Sequence, residues 1–275
     1  MLGFKILIDG VFDEIDVEVI YSDEFKRAML KNKDTEEFIE TQWNAKVHEA
    51  KEKGIKIFNG PLFRLNDLRS TDNKQLILEL GRTDYKEYVG TRTEEFHHNN
   101  NFRTLANPLA ICAAIISREG KIVVERRGEV DVYSGQYHVI GGFMDRSFDF
   151  VGNIPSPFKA IRREIKEEIG LSLKNTRLLL GGIAYDLITP HPEMCFFVEV
   201  DLSCKDISDI FLTHEVDQEV HRLEFIGGSK DELIEFITSH HGSISVTGEA
   251  CMVLYGKHRY GVQWYQEIMS VLSLK

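Results

Sequence analysis

The stretch Arg163-Glu164-Ile165-Lys166-Glu167-Glu168-Ile169-Gly170-Leu171 decides how this chain is read. It closes a segment, residues 157–169, with the marks of an amphipathic helix. Ser156 is a good N-cap, Pro157 at the first helical position gives up an N–H that would have no partner, and Gly170 stands where a C-terminal cap belongs. At about 100° per residue, Phe158, Ile161, Ile165 and Ile169 form one apolar stripe. Glu164, Glu167 and Glu168, spaced i, i+3, i+4, form a second stripe roughly 110° round the helix. The acids therefore flank the buried face and belong at the rim of a core.

Three carboxylates this close repel one another. Water, protonation or a divalent cation relieves that repulsion. A cluster of hard oxygen ligands suits Mg2+, with Mn2+ as a substitute. A bare ExxEE is more often a solvated acidic face; two features favour the metal. Gly141-Gly142 ends an apolar strand upstream, where backbone can approach a ligand closely. The nine-residue string also fits a known signature at every fixed position.

That string resembles the core of the Nudix box, Arg-Glu-U-x-Glu-Glu-x-Gly-U with U aliphatic, and Gly141-Gly142 resembles the glycine pair that opens it. The resemblance implies an α+β Nudix fold, a mixed sheet sandwiched by helices, and a diphosphate hydrolase (pyrophosphatase). It implies Glu164, Glu167, Glu168 and the carbonyl of Gly142 as metal ligands, with Glu164 or Glu167 available to activate water. It gives Arg163, ion-paired with a nearby carboxylate, and Gly170 structural roles. Twenty residues separate Gly142 from Arg163, about seven more than the box has. The register puts Pro155 where the box has a further glutamate. Asp145 and Asp149, the acids of the intervening loop, are the candidates to replace it.

A wider similarity is carried by Phe58-Asn-Gly-Pro-Leu-Phe-Arg-Leu65, Leu80-Gly-Arg-Thr-Asp-Tyr85 with Gly90-Thr91, Asn107-Pro-Leu109, Glu125-Arg-Arg127 and Val139-Ile-Gly-Gly142. Together they look like the UDP-sugar diphosphatases of the Nudix superfamily. That likeness implies cleavage of UDP-glucose or UDP-galactose to UMP and sugar 1-phosphate. Another nucleoside diphosphate derivative such as ADP-ribose, or a non-catalytic module that binds a nucleotide sugar, is the alternative. Further candidates are Glu219, before a predicted strand, as base or ligand, and Arg126 and Arg127, after a predicted strand, as phosphate contacts. His191 and Glu193, in a polar turn, could touch the sugar. Gly181-Gly182 reads as a strand bend, since no phosphate-loop pattern surrounds it.

The rest of the chain sets the frame. With 275 residues it is long enough for one large domain or two modest ones. A smaller α+β N-terminal domain is expected over 1–104 and the Nudix domain over 105–275. Polar residues 91–107, with His97-His98, read as a solvated connector rather than a metal site. A net charge of -11 argues against general nucleic-acid binding, while leaving room for one anionic small molecule beside a bound cation. Cys112, Cys195, Cys204 and Cys251 form no CxxC pair and read as reduced, mostly buried small hydrophobes. The start carries no signal-peptide pattern and no stretch suits a membrane span, so a cytoplasmic location is expected. The sequence leaves a homodimer open.

Overall fold

The computed structural model describes residues 2–28, 34–72, 74–128, 130–174, 176–214 and 220–274. In chain order the elements are β1 (Phe4–Phe12), β2 (Val17–Tyr21), α1 (Asp34–Lys53), β3 (Pro61–Ser70), β4 (Leu76–Asp84), α2 (Tyr85–Thr91) and α3 (Glu94–His98). Next come β5 (Ala110–Ile116), β6 (Ile122–Arg127), β7 (Tyr137–His138), β8 (Ile140–Phe143), β9 (Phe150–Val151), β10 (Ile154–Pro155) and α4 (Pro157–Ile169). The chain continues with β11 (Leu179–Asp186), β12 (His191–Glu199), α5 (Cys204–Thr213), β13 (Val220–Ile226), α6 (Lys230–His240), α7 (Val246–Tyr260) and α8 (Val262–Ser273).

The main sheet has the order β1-β11-β12-β5-β6-β13, with β7 beside β6 and β8 beside β5. Its β12–β5 pair is parallel and its other pairs antiparallel. Every residue of β5 is buried, because both faces of the sheet are covered. Ile111, Ala113 and Ile115 share a core with Phe158, Ile161, Ile165 and Ile169 of α4. The alternate residues Cys112, Ala114 and Ile116 share one with Ala250, Cys251 and Leu254 of α7 and Trp264 of α8. This is the mixed sheet between helices that the sequence predicts. Each large apolar side chain so buried contributes roughly 2 kcal/mol. At Gly181-Gly182 the β11–β12 register shifts, Gly182 has φ +144°, and a Cβ on Gly181 would lie 2.0 Å from the Phe197 ring. The expected strand bend is there.

The N-terminal third is less separate than a boundary at 104 suggests. β1 leaves its neighbours in sequence and pairs with β11 at the edge of the main sheet. The second sheet, β2-β4-β3, puts Phe63, Leu65, Leu76, Leu78 and Leu80 into the same core as Ile111 and Ile165. Backbone bonds join the two sheets: Phe63 N–H to the Met144 carbonyl at 3.1 Å, Leu109 N–H to that of Phe63 at 2.8 Å, and Leu65 N–H to that of Asn107 at 3.0 Å. The polar connector is not solvated throughout either. It forms α3 and a 3-10 turn, and Asn107 is fully buried. The buried Arg64 guanidinium satisfies the connector's carbonyls at Phe102, Arg103 and Leu105. Residues 55–58 bridge α1 and β3 without a ladder partner, and Phe58 is exposed. Cys251 to Tyr255 lie on α7. No helix among the described residues is long and apolar enough to cross a membrane.

A fragment of residues 105–275 would expose β11 as an edge and uncover the shared core. It is expected to be insoluble or to lose its cooperative urea transition. A soluble fragment with a sharp transition would show instead that the boundary at 104 is a true domain boundary.

Candidate functional site

The site is built where α4 meets β8. Ser156 Oγ accepts from Lys159 N–H at 3.1 Å, and Gly170, with φ +75°, ends the helix with its N–H on the Lys166 carbonyl. The apolar stripe of α4 faces β5, and Glu164 and Glu168 face the glycine pair. The Gly141 N–H donates to Glu168 Oε2 at 3.1 Å, and Glu168 is buried. A Cβ on Gly142 would lie 2.7 Å from Glu164 Oε1, and one on Gly141 would lie 2.2 Å from the Ile111 carbonyl oxygen. The absence of a side chain lets β8 approach α4 at Gly142 and β5 at Gly141.

Arg163 ties the site together. Its Nε and Nη2 donate to the two oxygens of Asp149 at 2.9 and 2.7 Å, and its Nη1 lies 2.9 Å from Glu164 and 2.8 Å from Glu167. Burial alone would lower the Arg163 pKa. The Asp149 hydrogen bonds and the charges of Glu164 and Asp149 outweigh it and hold the guanidinium firmly charged. Asp149 is fully buried, so losing either member of this pair would cost on the order of 3 kcal/mol.

The long loop after Gly142 is ordered around that pair. The β9–β10 hairpin turns at Gly152, with φ +59°, and Phe150 packs on Phe63 and Tyr21. Lys159 Nζ donates to the carbonyls of Phe148 and Phe150, joining the loop to the first turn of α4. Pro155 sits buried in the hairpin. Of the two acids considered for the missing glutamate, Asp149 is engaged by Arg163, and Asp145 accepts from the Ser147 N–H.

Glu164, Glu168, Gly142 and Arg163 are thus brought together, and Glu167 lies on the outer side with 57% of its side chain exposed. Hard carboxylate oxygens from one helix face fit Mg2+ or Mn2+ by donor chemistry. The Arg163 cation already bridges Glu164 and Glu167, so these two carboxylates converge on positive charge. The three acids do not yet meet at one point: among the described residues the group of metal-ligating atoms that does is Cys112, Cys195 and Cys251. Glu219 lies outside the described residues. Arg126 and Arg127 are the last residues of β6 rather than beyond it, because their backbone continues the ladder to β13 and β7. Arg126 covers the Tyr137 ring at 3.8 Å and Arg127 pairs with Glu125 at 3.1 Å.

His191 and Glu193 are not in a turn. They belong to β12 and are buried, in a polar chain the sequence pattern conceals. Tyr88 Oη lies 3.1 Å from His191 Nδ1, His191 Nε2 is 3.5 Å from Glu193, Glu193 is 3.7 Å from His138 Nε2, and His138 Nδ1 meets Ser245 Oγ. Burial pulls the His138 pKa down to about 4. Burial opposes charge on Glu193 too, but its His191 hydrogen bond and the two histidines bring it to about 2. Sequence reasoning also missed the neighbouring aromatic group. Phe143, next to Gly142, packs edge-on against Tyr85, Tyr88 and His191, and Arg92 lies over the Tyr88 ring at 4.6 Å while pairing with Asp131 at 2.6 Å. These residues come from four separated segments, so no local spacing marks them. A separate surface cleft lies at the far end of β5, lined by Ile116, Lys121, Gly228 and Tyr260 among others.

No family model matches this chain. The mouse protein named uridine diphosphate glucose pyrophosphatase NUDT22 is 25% identical over 185 residues, covering 57% of this chain and 60% of that protein. The chain resembles the Nudix hydrolases. Among solved structures, the Nudix domain of Shewanella oneidensis NrtR complexed with ADP ribose is 13% identical, with a TM-score of 0.41 over 61% of this chain and 99% of its own. The MutT protein of Methanosarcina mazei is 15% identical, with a TM-score of 0.38 over 55% of this chain and 94% of its own.

The buried histidines make stability depend on pH in a defined direction. His138 has a folded-state pKa of about 4 against an ordinary 6.5, so between these values the unfolded chain binds the extra proton. Its contribution is present above pH 6.5 and is lost as pH falls through about 4. His191 is shifted upward and acts in the opposite sense, above pH 6.5. Urea denaturation of His138→Gln should therefore show a flatter rise of stability from pH 4 to 6.5 than the parent chain. An unchanged slope would contradict this reading.

Proposed function

We propose that this chain hydrolyses the diphosphate of a nucleoside diphosphate sugar, UDP-glucose or UDP-galactose first, to UMP and sugar 1-phosphate with Mg2+ as its cation. The observation that carries the proposal is the packing of Glu164 and Glu168 of α4 against the Gly141–Gly142 backbone. The likeness to the mouse UDP-glucose pyrophosphatase points to the sugar nucleotide.

Glu164, Glu167, Glu168 and the carbonyl of Gly142 would hold the cation. When bound, it supplies positive charge to the diphosphate oxygens and lowers the pKa of a bound water. The chain's own residues do the rest. Arg163 holds the adjacent carboxylates in place, and Asp149 positions Arg163. Of the acids, Glu168 is held by the Gly141 N–H, whereas Glu164 and Glu167 share Arg163 and are the better placed to turn toward a water. One water is consumed, its oxygen ending on one of the two phosphate products. The net charge of -11 works against an anionic substrate, so local positive charge decides its binding.

Glu168→Gln should lower UDP-glucose turnover by about 10²-fold or more while leaving UDP-glucose binding by calorimetry within a few-fold. Phosphorus NMR of the parent reaction should show UMP and glucose 1-phosphate. Turnover of ADP-ribose with none of either UDP-sugar would overturn the substrate. Binding without turnover, unaffected by Glu168→Gln, would make the chain a nucleotide-sugar-binding module.

A further inference from the structure

Three of the four cysteines, far apart in sequence, meet in the core. Cys112 comes from β5, Cys195 from its parallel neighbour β12 and Cys251 from α7, and all three are fully buried. Their Sγ atoms lie within 4.8 Å of one another. As packing units alone they need only be small and apolar, as Ala114, Ala184 and Ala250 of the same core are. Convergence of three thiols on one point from three elements is a more specific arrangement than burial requires.

We propose that Cys112, Cys195 and Cys251 form a closed three-sulfur site for a soft monovalent cation of the Cu(I) class.

Size and donor number favour this class. Metal–sulfur bonds of about 2.3 Å in a trigonal plane put the sulfurs about 4 Å apart, so the trio needs only small side-chain shifts from its present spacing. Thiolate ligands select soft ions. Zn2+ would require a fourth donor for its tetrahedron. The nearest carboxylate, Glu193, lies beside Cys112 but is flanked by His138 and His191. Carbonyl oxygens of Glu193 and Phe196 stand 3.9 Å from the thiols of Cys195 and Cys251, in hydrogen-bonding rather than ligating positions. Only thiolates ligate, so binding releases the thiol protons. Occupancy would tie β5, β12 and α7 together and stabilise the fold by mass action. Because ligation releases protons, affinity should rise with pH.

The test uses the full chain, reduced and under anaerobic conditions, titrated with Cu(I) against a chromophoric Cu(I) chelator. One Cu(I) per chain is expected, with X-ray absorption at the copper edge showing three sulfurs and no nitrogen or oxygen. Cys204→Ser, outside the cluster, should bind like the parent. Cys251→Ser should lose about 10²-fold in affinity; its fold is checked by circular dichroism. Should Cys251→Ser not fold, the copper-edge spectrum of the parent decides alone. Equal binding by folded Cys251→Ser, a spectrum without three sulfurs, or Zn2+ held as tightly as Cu(I) would overturn the proposal.

Discussion

The structure turns on how closely α4 approaches the glycine pair of β8. Glu168 accepts the Gly141 N–H and Glu164 occupies the space that a side chain on Gly142 would fill. A carboxylate buried at the rim of an apolar core is costly unless donors or a cation meet it. Here a backbone N–H meets one and the Arg163 guanidinium meets another. The apolar stripe of the same helix locks that geometry from below, because Phe158, Ile161, Ile165 and Ile169 bury against β5. Rotating α4 to relieve the acids would expose four large side chains.

The same logic explains the inserted loop and the N-terminal third. Asp149, buried, needs a cation, and the partly buried Arg163 guanidinium has its donors met by Asp149 and the α4 acids. The hairpin that delivers Asp149 is seated by Phe150 on Phe63 of β3, so the second sheet supports the site from behind. β1 covers the β11 edge and leaves fewer unpaired backbone groups. The N-terminal residues are thus part of the scaffold that sets the site's geometry.

What the sequence disclosed follows the range of the interactions involved. Helix 157–169, with its cap, proline and glycine, is governed by local rules, and its two stripes follow from 3.6-residue periodicity. β5, Ala110–Ile116, is a continuous apolar run, which suits a strand buried on both faces. The placement of β1 at the far edge of the main sheet depends on a partner some 170 residues away in the chain, which no local pattern encodes. His191 and Glu193 misled because polar residues in a short turn-like segment look solvated. Their burial becomes tolerable only when His138, Tyr88 and each other supply partners. The three cysteines read correctly as buried, but their convergence is a property of β5, β12 and α7 in register.

The central claim is that the α4 acids beside Gly142 form a divalent-cation site. Anomalous diffraction from crystals of this protein soaked in Mn2+ tests it most directly. The prediction is a manganese peak between Glu164, Glu167 and Glu168 within reach of the Gly142 carbonyl, with Arg163 retained on Asp149. Manganese bound only elsewhere, with Arg163 still bridging Glu164 and Glu167, would contradict it.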